Sequence, residues 1–147
     1  NFMPLAKFSV KAESKNATKC VVKTPGGFEM VIDEPEKLGG GNEGPNTVEY
    51  LLGDLAGCLN VVRNLVEKEM GIVLEEMKIE ISGKLDPAKF MGKKETVRAG
   101  YQEINVKIDV ESDADKDTLA EWLAVVEERC PVSDNIGNQT PLKIEVK

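Results

Sequence analysis

Three cysteines, Cys20, Cys58 and Cys130, and the complete absence of histidine decide what chemistry this chain can do. Without imidazole there is no Ser-His or Cys-His nucleophile, and the usual zinc and non-haem iron sites lose their commonest ligand. Reactivity must come from thiols, carboxylates, lysines and arginines. Cys58 sits inside an apolar helical stretch and Cys130 at the break Arg129-Cys130-Pro131, and neither belongs to a Cys-x-x-Cys. From the residues alone two readings stand, a two-thiol redox site and a pair of structural cysteines. Cys20, with no second cysteine near it in sequence, reads as a small buried or half-buried residue of a strand.

Charge separates Cys58 from Cys130. Pro131 can be the first residue of a short helix, which places Cys130 at a helix N-terminus beside Arg129 and makes it the more acidic of the pair. Cys58 lies about three turns inside its helix, beyond the reach of the terminal dipole, with Asp54 one turn before it. Its thiolate therefore needs a cation supplied by another part of the fold.

The element that must hold Cys58 is a helix from Asn46 to Met70. Asn46 or Thr47 can cap it, Glu49 suits its first turn, and Gly71 can end it in the left-handed region. Val48, Leu52, Leu55, Leu59, Val62 and Val66 form its stripe, and Leu51, Ala56, Cys58 and Leu65 widen the stripe until burial on more than one side is expected. Before it, alternation predicts strands at Ala6 to Ala12, Thr18 to Lys23 and Phe28 to Asp33, an N-terminal meander. After it come strands at about Ile72 to Lys84 and around Ile104 to Val110. A helix capped by Ser112 to Asp115 then carries Leu119, Trp122, Leu123 and Val126, and Pro131 stops it. A short helical turn at Pro131 to Ile136 and a closing strand at Leu142 to Val146 complete the order βββ-α-ββ-α-α-β, an α+β fold. The charged connection Asp86 to Arg98 reads as a mobile lid with room for one helical turn.

At 147 residues the chain is long enough for one domain, 1–147, with a core of its own. Asn1-Phe2 before Met3 reads as a cloning remnant and stands outside the fold argument. The net charge of −7, with both signs interleaved, offers no basic face to nucleic acid or to anionic lipid. No apolar run is long enough to span a bilayer or to act as a secretory core, and three cysteines make no disulfide scaffold, so a cytoplasmic protein is expected. The loop Gly39-Gly40-Gly41 to Gly44-Pro45 lacks the Gly-Lys-Ser/Thr ending of a phosphate-binding loop, which leaves close backbone approach as its role and no cofactor in view.

These words also carry a resemblance. Gly39-Gly40-Gly41, Gly44-Pro45-Asn46, Val48-Glu49, Leu55-Ala56-Gly57-Cys58 and Glu128-Arg129-Cys130-Pro131-Val132-Ser133 strongly resemble the OsmC/Ohr family of osmotically inducible and organic hydroperoxide resistance proteins. The resemblance implies an intertwined homodimer with antiparallel sheets wrapped around long central helices. It also implies reduction of organic hydroperoxides, with Cys58 matching the peroxidatic cysteine, Cys130 the resolving one and Glu49 the family's glutamate, and electrons drawn from a dithiol reductant. Two departures bear on function. The reducing members carry an arginine on the N-terminal hairpin, whereas the first arginine here is Arg63, and lysine cannot reproduce its planar clamp. Their Asn-Pro-Glu is replaced by Asn46-Thr47-Val48-Glu49, with Glu49 nine rather than ten residues before Cys58. The chain thus looks closest to the OsmC-like branch, and a dimer that binds a small apolar ligand without peroxidase chemistry is the alternative.

Overall fold

The computed structural model describes residues 3–93 and 96–147. In chain order it contains β1 (Lys11–Ser14), β2 (Cys20–Lys23), β3 (Glu29–Ile32), a 3-10 turn (Glu36–Leu38), α1 (Thr47–Met70), β4 (Glu76–Leu85), β5 (Tyr101–Glu111), α2 (Lys116–Arg129) and α3 (Pro131–Gly137). This is the α+β class expected, with antiparallel sheets β1-β2-β3 and β4-β5. The chain divides into two compact units, Asn1–Leu51 and Leu52–Lys147.

In the first unit the meander is set by its turns. The Asn16 side chain accepts the amides of Thr18 and Lys19, at 3.0 and 2.8 Å, and so closes β1 on β2 in the register Ser14 to Cys20. Thr24 accepts the amide of Phe28, and Gly27 at φ 89° completes the turn into β3. The first strand begins later than its alternation suggests. Residues 3–10 have no strand opposite them among the described residues, because β2 spends its four residues on Lys11–Ser14, and Phe8 and Val10 stay exposed. After β3 the buried Asp33 carboxylate gathers the Thr18 hydroxyl (2.7 Å) and the amides of Glu34 (2.8 Å) and Glu43 (3.1 Å). Those bonds hold its pKa below the usual carboxylate range, the Thr18 hydroxyl contributing most. They also tie the glycine loop to the end of β3.

The loop needs glycine for the reason anticipated. A Cβ on Gly40 would run into the Glu34 carbonyl, and one on Gly44 into the Val31 carbonyl. Gly44→Ala is therefore expected to destabilise the protein by about 1–3 kcal/mol, since the obstacle is backbone rather than a flexible side chain. Urea unfolding checks this, and an unchanged midpoint would show that the loop can give. At the start of α1, Asn46 and Glu49 form a capping box, Asn46 Oδ1 accepting the Glu49 amide at 2.9 Å and Glu49 Oε1 the Asn46 amide at 3.1 Å.

The second unit holds the main core. Leu55, Leu59, Val62 and Val66 along α1 pack with Leu74, with Trp122 and Val126 of α2, and with Cys130. Beneath them lie the inward residues of β4 and β5, registered Met77 to Val110 and Ile79 to Ile108. The outward faces pair opposite charges, Lys78 with Asp109, Glu80 with Lys107 and Lys84 with Glu103. Gly71, at φ 67°, ends α1, and the Asp115 carboxylate caps α2 by accepting the Thr118 amide at 2.8 Å.

Two expectations are corrected here. β4 starts at Glu76, not Ile72, because the Leu74 amide turns back to the buried Glu67 carboxylate at 2.7 Å and is lost to any ladder. The closing strand is not formed. Leu142, Ile144 and Val146 alternate as a strand should, yet residues 138–147 have no ladder partner among the described residues and these side chains are 81 to 99% exposed. A period of two selects a face but supplies no neighbouring strand. Along α1, Val61 and Leu65 are 61% and 49% exposed in the single chain. In the connection expected to act as a lid, the amides of Met91 and Lys93 bond back to Pro87 and Ala88, which gives the helical turn, while residues 94 and 95 of that segment lie outside the described residues, as does Asn1-Phe2.

Candidate active site

Cys58 and Cys130, 72 residues apart in sequence, meet with their sulfurs 2.8 Å apart. Two local features bring them together. Cys58 stands between Leu55 and Leu59, the core-facing residues of α1, so its half-buried side chain is turned toward the core edge. Cys130 is at once the C-cap of α2 and the N-cap of α3, in extended backbone at φ −79° and ψ 112°, because Pro131 ends one helix and begins the next. Its side chain is fully buried, and its Sγ accepts the Ser133 amide at 3.4 Å. Both thiols are free. Between them Cys130 is the donor, its S–H directed to Cys58 Sγ.

The expected acidity of Cys130 is overturned. Burial pushes its thiol up, the hydrogen bond to Cys58 adds to this, and the amides of Ser133 and Val132 pull the other way without prevailing. The helix N-terminus is present as anticipated, but complete desolvation outweighs it. Arg129 does not help, since its guanidinium turns away to Glu69 at 2.6 Å. Arg63 is likewise engaged, by Glu67 at 3.1 Å.

A pH dependence follows. The folded thiol of Cys130 titrates above its unfolded value, so its contribution to stability is complete below the unfolded pKa of about 8.5 and is lost as pH rises through the folded one. Reduced protein should lose stability in urea melts as pH rises above the unfolded thiol value of about 8.5, and Cys130→Ala should flatten that slope. An identical slope in the variant would contradict the shift.

The remaining candidates are placed as follows. Glu49 is engaged in the capping box of the first unit, a role that the spacing Asn46-x-x-Glu49 already signals. Cys20 is half-buried in β2, opposite Ser14 and Ile32. Sequence reasoning passed over Ser133, whose place three residues after a helix N-cap was a signal that its amide would be available. It also missed an open cavity of about 320 Å³ in the second unit, to which Leu55, Leu59, Ile104, Ile108, Glu127 and Ser133 contribute. No helix among the described residues is long and apolar enough to cross a membrane.

A buried thiol at a helix junction, set against a second thiol in the middle of a long helix, defines a dithiol protein of α+β architecture. The family model described as OsmC-like protein matches residues 39–145, and the chain belongs to that family. A comparison with curated proteins returns no match. Among solved structures, an OsmC-like protein from Mycoplasma pneumoniae shares the fold with a TM-score of 0.77 at 19% identity, over 90% of this chain and 88% of that one. A hypothetical protein from Aquifex aeolicus gives 0.70 at 24% identity, over 97% and 98%. An organic hydroperoxide resistance protein OsmC from Legionella pneumophila gives 0.64 at 20% identity, over 91% of each chain.

Proposed function

We propose that the protein is a thiol peroxidase that reduces organic hydroperoxides through Cys58 and Cys130. The observation that carries this reading is the 2.8 Å contact between two free thiols. Family membership supports it, and the Legionella relative bears the name of a hydroperoxide resistance protein.

In the proposed reaction the Cys58 thiolate attacks the outer oxygen of the hydroperoxide. The O–O bond breaks, the alkoxide takes a proton and leaves as the alcohol, and Cys58 becomes a sulfenic acid. Cys130 sulfur then attacks Cys58 sulfur, a disulfide forms, and water departs. An external dithiol reduces that disulfide and returns both thiols. The S–H that Cys130 aims at Cys58 fits this division of labour, because such a bond strengthens when its acceptor is charged. Glu49 enters the proposal as a positioning residue that holds the first turn of α1. A reducing cytoplasm suits the dithiol donor.

The assay is consumption of cumene hydroperoxide with dihydrolipoamide as reductant. Turnover well above that of Cys58→Ser is the expected result, and equal rates would overturn the proposal. The N-terminal part of the chain lacks the arginine that assists the reducing members, which favours a second reading, an apolar-ligand binder with inert thiols. Native mass spectrometry showing a retained small molecule on a protein without turnover would select it.

The functional form is proposed to be a homodimer. Val61 and Leu65 on α1, and Leu142, Ile144 and Val146 near the C-terminus, are apolar residues that the single chain leaves exposed. Sedimentation equilibrium at micromolar concentration is expected to give twice the chain mass, and a stable folded monomer would refute the dimer.

A further inference from the structure

Cys58 on α1 and Cys130 at the junction of α2 and α3 present two free sulfurs 2.8 Å apart. Such a pair is a ligand set as well as a redox couple, because thiol sulfur is a soft donor that selects soft acceptors. No third protein ligand joins them, since the described residues contain no group of three cysteine, aspartate or glutamate side chains placed to hold a metal ion. A structural zinc site, which takes four ligands, would lack half of its set.

Spacing narrows the choice further. An ion that binds two thiolates in line, with bonds of about 2.3 Å as in zinc thiolates, holds its sulfurs about 4.6 Å apart. To reach that separation α1 and the helix junction would have to part, although the Cys130 side chain is fully buried between packed elements. A pyramidal centre with bonds of the same length at nearly a right angle needs its sulfurs only about 3.3 Å apart. The fold already comes close to that separation. Trivalent arsenic is a soft centre of this shape, and with two valences on sulfur its third can carry an organic group.

We infer that Cys58 and Cys130 form a chelating site for trivalent arsenicals that bear one organic substituent. Cys58, the half-buried thiol, makes the first As–S bond, and the buried Cys130 makes the second. In each step a thiol sulfur displaces an oxygen from arsenic, and the thiol proton leaves with that oxygen as water. Starting from the hydrated R–As(OH)2 form, two As–O bonds break, two As–S bonds form and two waters depart. Arsenic stays trivalent, so no oxidant or reductant takes part. The second bond forms at high effective concentration because the fold holds both sulfurs in place beforehand. Arsenical binding involves no hydroperoxide chemistry and holds or fails independently of the peroxidase reading.

The probe is phenylarsine oxide, added to the reduced protein and followed by native mass spectrometry. One phenylarsenic group per chain, with the loss of two thiol hydrogens, is the expected adduct. Glutathione in large excess should leave it in place while dimercaptopropanol removes it, a signature of attachment through two thiols that needs no variant to read. Cys58→Ser and Cys130→Ser should each weaken binding about a hundredfold or more, whereas Cys20→Ser should leave it unchanged. An adduct that glutathione strips from the wild type, or one that Cys130→Ser retains at full affinity, would reduce the site to a single thiol and overturn the inference. No adduct on protein whose Cys58 and Cys130 still alkylate would overturn it as well. Protein that binds the arsenical through both thiols yet fails to turn over cumene hydroperoxide would keep the chelating site and lose the peroxidase reading.

Discussion

Cys58→Ser is expected to reduce hydroperoxide turnover by about a thousandfold or more, to the background rate of the dithiol alone. A serine hydroxyl is far less ionised than a thiol at neutral pH and cannot carry the oxygen as a sulfenic acid, so both halves of the proposed cycle are lost. Cys130→Ser should behave differently. It keeps the sulfur proposed to attack but not its partner at 2.8 Å, so one equivalent of peroxide is consumed and the sulfenic acid on Cys58 persists. Intact-mass measurement after dimedone trapping distinguishes the two variants. Stoichiometric trapping in Cys130→Ser, with none in Cys58→Ser, is the predicted pattern, and the reverse pattern would exchange the roles. In the wild type, the sulfurs need to close by less than about 1 Å to reach disulfide bonding distance, so dimedone should label it weakly.

How far the sequence led depends on the kind of interaction. Periodicity and punctuation located α1, α2 and α3 closely, because caps and breakers such as Asp115, Gly71 and Pro131 act on their own neighbours. The resemblance brought Cys58 and Cys130 together before any geometry was known, whereas the residues alone left a structural pair open. Two things were not legible. One was burial at Cys130, a property of the surrounding α1 and α2 rather than of its own segment, and it reversed an inference drawn from charge. The other was strand pairing at the ends of the chain. Leu142, Ile144 and Val146 alternate as clearly as any strand here, but the pattern names no partner, and none is found among the described residues. Glu67 was unremarkable in the sequence, one glutamate among several in a helix, because the Leu74 amide is brought to it by the turn after Gly71, although Arg63 stands at i,i+4 spacing on the same helix.

Glu67 is where the largest loss of stability is expected. Its carboxylate is 7% exposed and serves two groups, accepting the Leu74 amide at 2.7 Å and the Arg63 guanidinium at 3.1 Å. The Arg63 carbonyl in turn takes the indole N–H of the buried Trp122 at 3.5 Å, so this one corner links α1, α2 and the chain leading to β4. Glu67→Ala leaves a buried amide without an acceptor, an arginine without its counter-ion and a small cavity. Breaking a buried ion pair from one side costs about 3–5 kcal/mol, and the partial exposure of Arg63, at 19%, lets water recover some of that, so a loss of about 2–4 kcal/mol is expected. Set against a total of about 5–15 kcal/mol, this is a large fraction of the stability. Glu67→Gln retains an acceptor for the Leu74 amide and removes only the charge, so its loss should be about 1–2 kcal/mol. Urea unfolding of the two variants at neutral pH gives the comparison. If they lose the same amount, the charge on Glu67 dominates and the bond to Leu74 contributes little. A loss in Glu67→Ala at least twice that in Glu67→Gln identifies the Leu74 amide as the group that the buried carboxylate is there to satisfy.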